Sequence, residues 1–383
     1  MRVTERQQVD SILNTIRRLR ADIFDRNEQI ASGKRVNRPS DDPAAMERIN
    51  QFRNVLQTTE RRRLNVNEGV GRLNLSDSTL ETAGLSMQRA KELALQMRND
   101  TNSASERANA AKEVQQLILG LVGLANTQLN GRFIFAGSQT QTEPFALGTA
   151  TGSAHTGNTG GAAISAAVSI ASALQPDLYQ IRFTSSTQFD VVNATTNQTL
   201  SSGNAYTSGS TFSFDGLDLT ITDGGGPPQT GDQFFVRVGY AYQGDSEAIP
   251  LEIGDGRTVD SNVTGDQVFS GPTSDLFQNL QNFHQALLTN DVNAIESAIA
   301  TFDTSLSQVT DARADLGAKV NRLDTIQEGL DLLTVNTETL RSGYEDADFA
   351  KVASDLATLQ TTLEASMATL TRQFETSLLN FLR

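Results

Sequence analysis

Apolar residues recur at alternating steps of three and four along residues 6–32, which is the spacing of one face of an α-helix. Arg26 interrupts the stripe, and Gly33 follows it, where a glycine commonly ends a helix. The pattern predicts a helix that ends at Ser32 and carries a narrow heptad stripe. This N-terminal stripe consists of Val9, Ile12, Ile16, Leu19, Ile23 and Ile30.

A second helical pattern begins after Asp42 and Pro43. The pair suits a helix N-terminus because Asp accepts backbone N–H groups and Pro has none to satisfy. The pattern continues for roughly 55 residues, a length typical of a coiled coil. Ser103 and Glu106 have the spacing of a capping box, which predicts the start of a third helix. The Asn130–Gly131 pair predicts the end of that helix.

The composition changes after Gly137, where Gly, Ser, Thr and Asp become frequent and residues 149–161 approach low complexity. Apolar residues then alternate with polar ones, which is the period of half-buried β-strands. Asp–Gly and Gly–Asp pairs between these runs predict turns. We therefore expect a β-rich domain over residues 143–271. The alternating runs are Tyr179–Phe183, Phe212–Phe214, Leu217–Ile221 and Phe234–Tyr240.

Helical periodicity resumes at Thr273 with a short helix, and Asn290 or Asp291 is expected to cap the long helix that follows. Gly343 predicts a break. The last segment has the clearest heptad pattern in the chain, and such a helix needs a partner to cover its apolar face. This C-terminal stripe consists of Phe349, Val352, Leu356, Leu359, Leu363, Met367, Leu370, Phe374, Leu378 and Phe381.

The order of elements is helices, then strands, then helices, which predicts an α+β fold. Long antiparallel coiled-coil helices from both chain ends carry an inserted β-rich outer domain. We expect three domains. Residues 1–42 and 344–383 form a terminal, inner coiled-coil domain, and residues 43–140 and 273–343 form a helical core domain. Residues 141–272 form the inserted domain.

Composition argues against several classes of protein. The net charge of −14 disfavours a nucleic-acid partner, and the absence of cysteine excludes disulfides and thiolate metal sites. The two histidines, His155 and His284, lack a second ligand at metal-binding spacing. Neither a Gly-x-Ser-x-Gly elbow nor a phosphate-binding loop with lysine occurs. We expect no enzyme activity, no cofactor and no metal site.

The sequence pattern also argues against a membrane span and an ordinary signal peptide. The longest apolar run, residues 117–125, is too short to cross a bilayer, so no membrane insertion is expected. Charged residues interrupt the N-terminus early, which argues against an ordinary signal peptide. On these grounds alone a cytoplasmic location would be the default.

Three separated motifs resemble the flagellin and hook-associated family. The first is residues 32–37 followed by 40–44, the second lies within residues 309–324, and the third covers residues 346–350 and the C-terminal end. The resemblance covers roughly residues 1–145 and 275–383. Pro43 and the stretch 130–138 are more similar to hook-associated members than to filament flagellins. The motif residues are Gly33, Arg35, Asn37, Asp41, Asp42, Pro43, Arg313, Gly317, Asn321 and Arg322.

The resemblance implies an extracellular structural subunit of the bacterial flagellum, exported without a cleaved signal peptide. Its implied partners are other copies of itself in a ring, a neighbouring hook-associated protein, flagellin and an export chaperone. The terminal stripes would form the assembly surface. A filament flagellin is the nearest alternative, and an adhesin or glycan-binding surface protein is a more remote one.

Overall fold

The computed structural model describes the backbone of residues 2–254 and 256–381 and the side chains of residues 7–254 and 256–374. It confirms the α+β fold, with helices from both ends of the chain and strands in the middle. The helices are α1 (Arg2–Ser32), α2 (Pro43–Met97), α3 (Ala104–Ala125), α4 (Gly265–Val268), α5 (Leu276–Leu288), α6 (Val292–Glu345) and α7 (Phe349–Phe381).

The strands lie between α3 and α4. They are β1 (Gln128–Leu129), β2 (Arg132–Phe133), β3 (Phe145–Ala154), β4 (Ala163–Val168), β5 (Leu178–Ser185), β6 (Gln188–Asn193), β7 (Gln198–Ala205), β8 (Thr211–Phe214), β9 (Leu217–Thr222), β10 (Gln233–Tyr242), β11 (Pro250–Gly254) and β12 (Arg257–Asp260). A short 3₁₀ turn, Ala171–Ala173, precedes β5.

The chain divides into two compact units. The first consists of Met1–Leu64 and Gln327–Arg383, and the second of Asn65–Ile326. Helices α2 and α6 each contribute residues to both units. The predicted division into three domains stays a prediction.

In the first unit, α1 and α7 pack side by side. The amide of Gln373 donates to Gln8 over 3.1 Å, and the guanidinium of Arg26 lies 3.6 Å from the carboxylate of Asp355. The beginning of α1 thus meets the later part of α7, and the end of α1 meets the beginning of α7. The two helices are therefore antiparallel.

In the second unit, α3 begins with the predicted capping box, in which Ser103 and Glu106 each bond the other's backbone N–H. Helix α3 packs against α5, and the buried side chains between the helices include Val114, Leu121 and Phe283. Arg107 is buried and donates to the carbonyl of Met97 over 3.0 Å. The guanidinium therefore satisfies a carbonyl at the end of α2 that the helix leaves unpaired.

The predicted end of α3 at Asn130–Gly131 is wrong. The helix ends at Ala125, and Asn130 and Gly131 instead form the turn of the β1–β2 hairpin. Their φ angles are 53° and 76°, which is the left-handed region required by the tight turns of two-residue hairpins. The amide of Asn126 donates to the carbonyl of Phe145 over 2.9 Å, so the chain is diverted before a further helical turn.

The middle of the chain folds as two antiparallel sheets that share one core. One sheet has the strand order β3-β10-β5-β6-β7, and the other has β4-β9-β8. Alternate residues of the strands point into the common core, as the period of two predicts. The core side chains include Ile181, Phe183, Val191, Leu217, Leu219, Ile221, Phe234, Val236 and Val238. Asp215 and Gly216 form the predicted turn between β8 and β9, with φ angles of 47° and 78°.

Strand β3 overlaps the stretch 149–161, which approaches low complexity, and strand β4 begins just after it. Strand β3 pairs with β10 along the edge of the larger sheet, and β4 pairs with β9 in the smaller one. A Cβ on Gly152 would lie 2.9 Å from a methyl of Ile164, so glycine permits the close approach of the two strands. The small residues of β3 and β4 therefore allow the backbones of these two strands to lie close together.

The predicted break at Gly343 is also displaced. Helix α6 continues to Glu345, and a short connection leads to α7. The cap at its other end is as expected, since Asp291 accepts the backbone N–H of Ala294 over 3.0 Å. Asn290 instead takes a left-handed conformation with a φ of 59°. A single glycine in a long helix costs only about 1 kcal/mol, which the surrounding turns can offset.

Candidate functional site

The two terminal stripes face each other in the α1–α7 pair, but they are only partly covered. Ile16, Leu19 and Val352 are buried. Most of the other stripe residues are half-buried, namely Val9, Ile12, Ile23, Ile30, Leu356, Leu359, Leu363 and Leu370. Phe349, Met367 and Phe374 stay exposed, with 65%, 43% and 47% of their surface open to solvent. Leu378 and Phe381 lie outside the described side chains.

Apolar surface of this kind requires a further partner to exclude water from it. A two-helix pair covers each stripe from one side only. The remaining part of the C-terminal stripe is free to pack against another helix. The assignment of both stripes to an assembly surface stays a prediction.

At the base of the helix pair, the loop between α1 and α2 is joined to the connection between α6 and α7. The backbone N–H of Arg35 donates to the carbonyl of Glu345 over 2.7 Å. The N–H of Ala347 donates to the carbonyl of Gly33 over 2.9 Å. Gly33 has a φ of 70°, the left-handed conformation by which the chain leaves α1. We call this structure the clasp, comprising residues 33–42, Arg53 and residues 341–347.

Glu345 is the centre of the clasp. It is 3% exposed, and its carboxylate contacts Lys34 at 2.6 Å, Arg53 at 2.7 Å and Arg341 at 3.5 Å. Burial acts to raise the pKa of Glu345, but the bonds from Lys34 and Arg53 outweigh it and hold the pKa below its usual value. The carboxylate is therefore charged at neutral pH and links three separate segments.

The motif carboxylates Asp41 and Asp42 shape the loop of the clasp. Asp41 accepts the backbone N–H groups of Asn37 and Arg38, over 3.0 and 2.8 Å. Asp42 accepts the N–H of Ala45 over 3.0 Å, which confirms it as the N-cap of α2. These bonds lower the pKa of both carboxyl groups. Both carboxylates therefore serve as acceptors for backbone N–H groups, as their position before a helix predicts.

Arg35 connects the two halves of the clasp. Its guanidinium contacts the carboxylate of Asp42 at 3.1 Å and donates to the carbonyl of Tyr344 over 2.9 Å. Beneath the loop, Val36 is buried with Ala45 and Ile49, and Met46 and Tyr344 pack against them. Pro43 opens α2 as its first residue. The motif residues from Gly33 to Pro43 thus form one small structure.

The second group of motif residues lies on α6. Arg313 pairs with Asp77 of α2 at 2.8 Å and with Glu81 at 3.4 Å. Gly317, Asn321 and Arg322 are exposed, and a Cβ on Gly317 would meet no atom within 4 Å. Arg313 therefore has an internal role, whereas the other three present a face without a packing partner in the described chain.

Glu345 and Arg53 were not among the residues predicted from sequence. Glutamate at the end of a helix is usually solvated, and no local pattern indicates that Lys34, Arg53 and Arg341 converge on it. The sequence contains only an indirect indication that Glu345 matters. The third motif begins immediately after Glu345, at Asp346.

The described residues hold no group of three or more His, Cys, Asp or Glu side chains placed to bind a metal ion. Among the helices of the described chain, none is both long and apolar enough for a membrane span.

Family comparisons match both ends of the chain. Residues 6–140 match the bacterial flagellin N-terminal helical region, and residues 299–382 match the bacterial flagellin C-terminal helical region. Between them, residues 153–238 match the D2-like domain of flagellar hook-associated protein 1.

Individual relatives agree with these matches. Flagellin D of Vibrio cholerae is 24% identical over 354 residues, which cover 90% of this chain and 88% of that protein. Flagellar hook-associated protein 3 of Salmonella typhimurium is 32% identical over 158 residues, which cover 41% of this chain and 49% of that protein. The chain thus aligns with about half the length of this second relative.

A solved structure described as a putative flagellar hook-associated protein from Vibrio parahaemolyticus has a similar fold. It gives a TM-score of 0.53 at 13% identity and covers 80% of this chain and 100% of that one. The matched helical regions contain the residues of the clasp and both terminal stripes. The chain belongs to the bacterial flagellin family, whose members include filament flagellins and hook-associated proteins.

Proposed function

We propose that this chain is a structural subunit that joins the hook of the bacterial flagellum to its filament. The observation that carries the proposal is the combination of flagellin-type helical ends with a middle domain of hook-associated type over residues 153–238. The 32% identity to hook-associated protein 3 of Salmonella typhimurium supports the same branch of the family.

The proposed mechanism is mechanical. Helices α1 and α7 of neighbouring copies pack their half-covered stripes together and form a ring. Neighbours in the flagellum on either side of the ring are a further hook-associated protein and flagellin. The clasp keeps the bases of α1 and α7 together, so that both helices enter the ring as one unit. The family's structural role supports the absence of catalysis.

Export precedes assembly in this proposal. The chain leaves the cell unfolded through the flagellar export channel, without a cleaved signal peptide, and takes up its place outside the cell. An export chaperone holds the C-terminal stripe, which otherwise exposes apolar side chains such as Phe349 and Phe374 before assembly.

Filament flagellin is the second candidate. It is favoured by the match of 24% identity across 90% of the chain to flagellin D of Vibrio cholerae. The two functions differ in what a deletion does. Loss of a junction subunit leaves hooks intact and releases unpolymerised flagellin into the medium, whereas loss of a filament flagellin removes or shortens filaments without this release.

The deletion experiment is therefore the direct test of function. Electron microscopy of the mutant is expected to show hooks without filaments, and an immunoblot of the medium is expected to show soluble flagellin. Complementation by the intact gene should restore filaments. Normal filaments in the deletion strain would overturn the junction proposal.

A further inference from the structure

A groove in the second unit contains charged side chains that form no ion pair with any described residue. It has a volume of about 490 Å³, which lies within the ~300–1,000 Å³ typical of small-ligand sites. Glu68, Gly69 and Arg72 of α2 form one wall, and Arg132 of β2 contributes to the lining. The segment 247–251, which leads into β11, forms the other side.

The floor of the groove is tightly packed. A Cβ on Gly69 would lie 2.8 Å from a methyl of Leu251 and 3.7 Å from the Cβ of Ser261. Gly69 and Ser261 are buried. The position of the two walls is therefore fixed by packing, and the groove is a built feature of the unit.

The guanidinium groups of Arg72 and Arg132 are the unusual feature of the lining. Within residues 7–254 and 256–374, neither forms a hydrogen bond or an ion pair. Arg72 is half-buried, and burial lowers its pKa. Glu68 partly opposes this effect, and the nearby charge of Arg132 adds to it by repulsion.

Two other arginines of the second unit form ion pairs with carboxylates. Arg89 bonds Glu113 at 2.7 Å, and Arg313 bonds Asp77 at 2.8 Å. A half-buried arginine beside a second arginine, with no carboxylate in contact, is costly unless an anion relieves the repulsion. The planar fork of a guanidinium matches the two oxygens of a carboxylate.

We propose that this groove binds the carboxylate of a single glutamate or aspartate residue in a peptide segment, held between Arg72 and Arg132. The hydroxyl group of Thr140 lines the same groove and supplies a further donor. Leu251 gives the aliphatic part of the bound side chain an apolar surface. The inference does not depend on the junction role.

Charge defines which ligands the groove accepts. Glu68 and Glu247 also line it, and neither forms a side-chain ion pair within the described residues. Two carboxylates at the edge repel phosphate dianions and strings of acidic residues, so a lone carboxylate with neutral neighbours fits best. The chain itself, with 45 acidic and 31 basic residues, is one abundant source of such carboxylates.

The test is a titration of the full chain, followed by the NMR signals of the arginine Nε–H groups. The probes are glutamate and glutamine, each capped as the N-acetyl amide, and inorganic phosphate. The capped glutamate is expected to shift the Arg72 and Arg132 signals in a saturable way, and the capped glutamine is expected to leave them unchanged.

Arg72→Gln and Arg132→Gln should each weaken binding of the capped glutamate by about tenfold or more, as loss of a charge-assisted hydrogen bond implies. Arg98→Gln removes an exposed arginine of the same helical region and should leave binding unchanged. Arg132 is exposed, so its variant keeps the fold even where the Arg72 variant does not. Equal shifts from both capped residues, shifts that never saturate, or tighter binding of phosphate would overturn the proposal.

Discussion

The ammonium of Lys34, just after the first helix, lies 2.6 Å from the carboxylate of Glu345, the last residue of α6. The ion pair joins the chain just after the end of α1 to the chain just before the start of α7. Backbone bonds on either side, from Arg35 to Glu345 and from Ala347 to Gly33, make the connection a short ladder. The bases of α1 and α7 are therefore tied to each other before any partner binds.

Replacing the centre of the clasp should loosen this connection. Glu345→Gln removes the charge that pairs with Lys34, Arg53 and Arg341, while keeping similar volume. We expect a loss of about 2 kcal/mol in the unfolding free energy of the first unit, because hydrogen bonds to charged groups are lost. Urea denaturation followed by circular dichroism measures it.

The control for this variant is Glu60→Gln, which breaks an exposed pair with Arg63 on a single helix turn. Exposed pairs contribute little because solvent screens them. The control should melt like the parent chain. Equal melting of both variants would show that the clasp is not held by Glu345.

A pH effect is expected from the second unit. His284 is 4% exposed, and burial lowers its pKa to about 4. Its pKa in the unfolded chain is about 6.5, so the unfolded state binds a proton first as the pH falls. Its contribution to stability is therefore complete above pH 6.5 and is lost progressively between pH 6.5 and 4.

By linkage this loss is about 2 kcal/mol between pH 7 and pH 5. Urea denaturation of the second unit at the two pH values measures it. His284→Leu should remove most of the difference, because no group is left to titrate at that position. Glu345 does not interfere, since its folded pKa lies below its usual value and its contribution is lost only at lower pH. An unchanged pH dependence in His284→Leu would contradict the assignment.

Because the terminal stripes are only partly covered in the free chain, we expect that a substitution in them can block assembly without preventing folding. Leu363 is half-buried in the α1–α7 pair, so Leu363→Asp leaves the carboxylate partly in water in the free chain. In an assembled ring the same carboxylate would be enclosed without a partner, which should cost several kcal/mol. We expect a soluble protein with normal melting of the β-rich domain that does not restore filaments to a deletion strain.

Ala365→Asp is the matched control for this prediction, since it places the same charge on an exposed position of the same helix. Motility and filament counts of the complemented strains give the comparison. Restored filaments with Leu363→Asp would remove that position from the assembly surface.

The stability of the domain formed by the two antiparallel sheets should fall when side-chain volume is added at Gly152. A Cβ there would lie 2.9 Å from a methyl of Ile164 and 3.1 Å from its carbonyl oxygen. Gly152→Val is expected to destabilise the domain by about 1–3 kcal/mol through overpacking. Thr151→Val, at the neighbouring exposed position, should have little effect. Thermal melting of both variants decides the matter, and equal stability would mean that the strands can separate at this point without loss.

Much of the helical part follows from local rules. The end of α1 at Gly33 and the starts of α2 at Asp42 and α3 at Ser103 each depend on a residue's own backbone preference or capping ability, and the structure confirms them. Strands β5, β8, β9 and β10 were predictable because large apolar residues alternate in them. Strands β3 and β4 were not, because their small residues fit a crowded contact between sheets that only the tertiary structure defines.

The site was predictable to a lesser degree. Motif residues from Gly33 to Pro43 come together as one loop, which local sequence indicates. Glu345 could not be predicted because its environment is made by Lys34, Arg53 and Arg341, which come from distant parts of the chain. The groove with Arg72 and Arg132 has the same origin, since α2, β2 and the segment before β11 meet only in the folded unit.

Immunogold labelling of purified intact flagella tests the junction role most directly. Antibodies against the middle domain, residues 141–272, avoid the helical regions that match filament flagellins. We expect gold particles confined to a short zone where the hook meets the filament, and none in a deletion strain. Label distributed along the whole filament would contradict the account and identify the chain as a filament subunit.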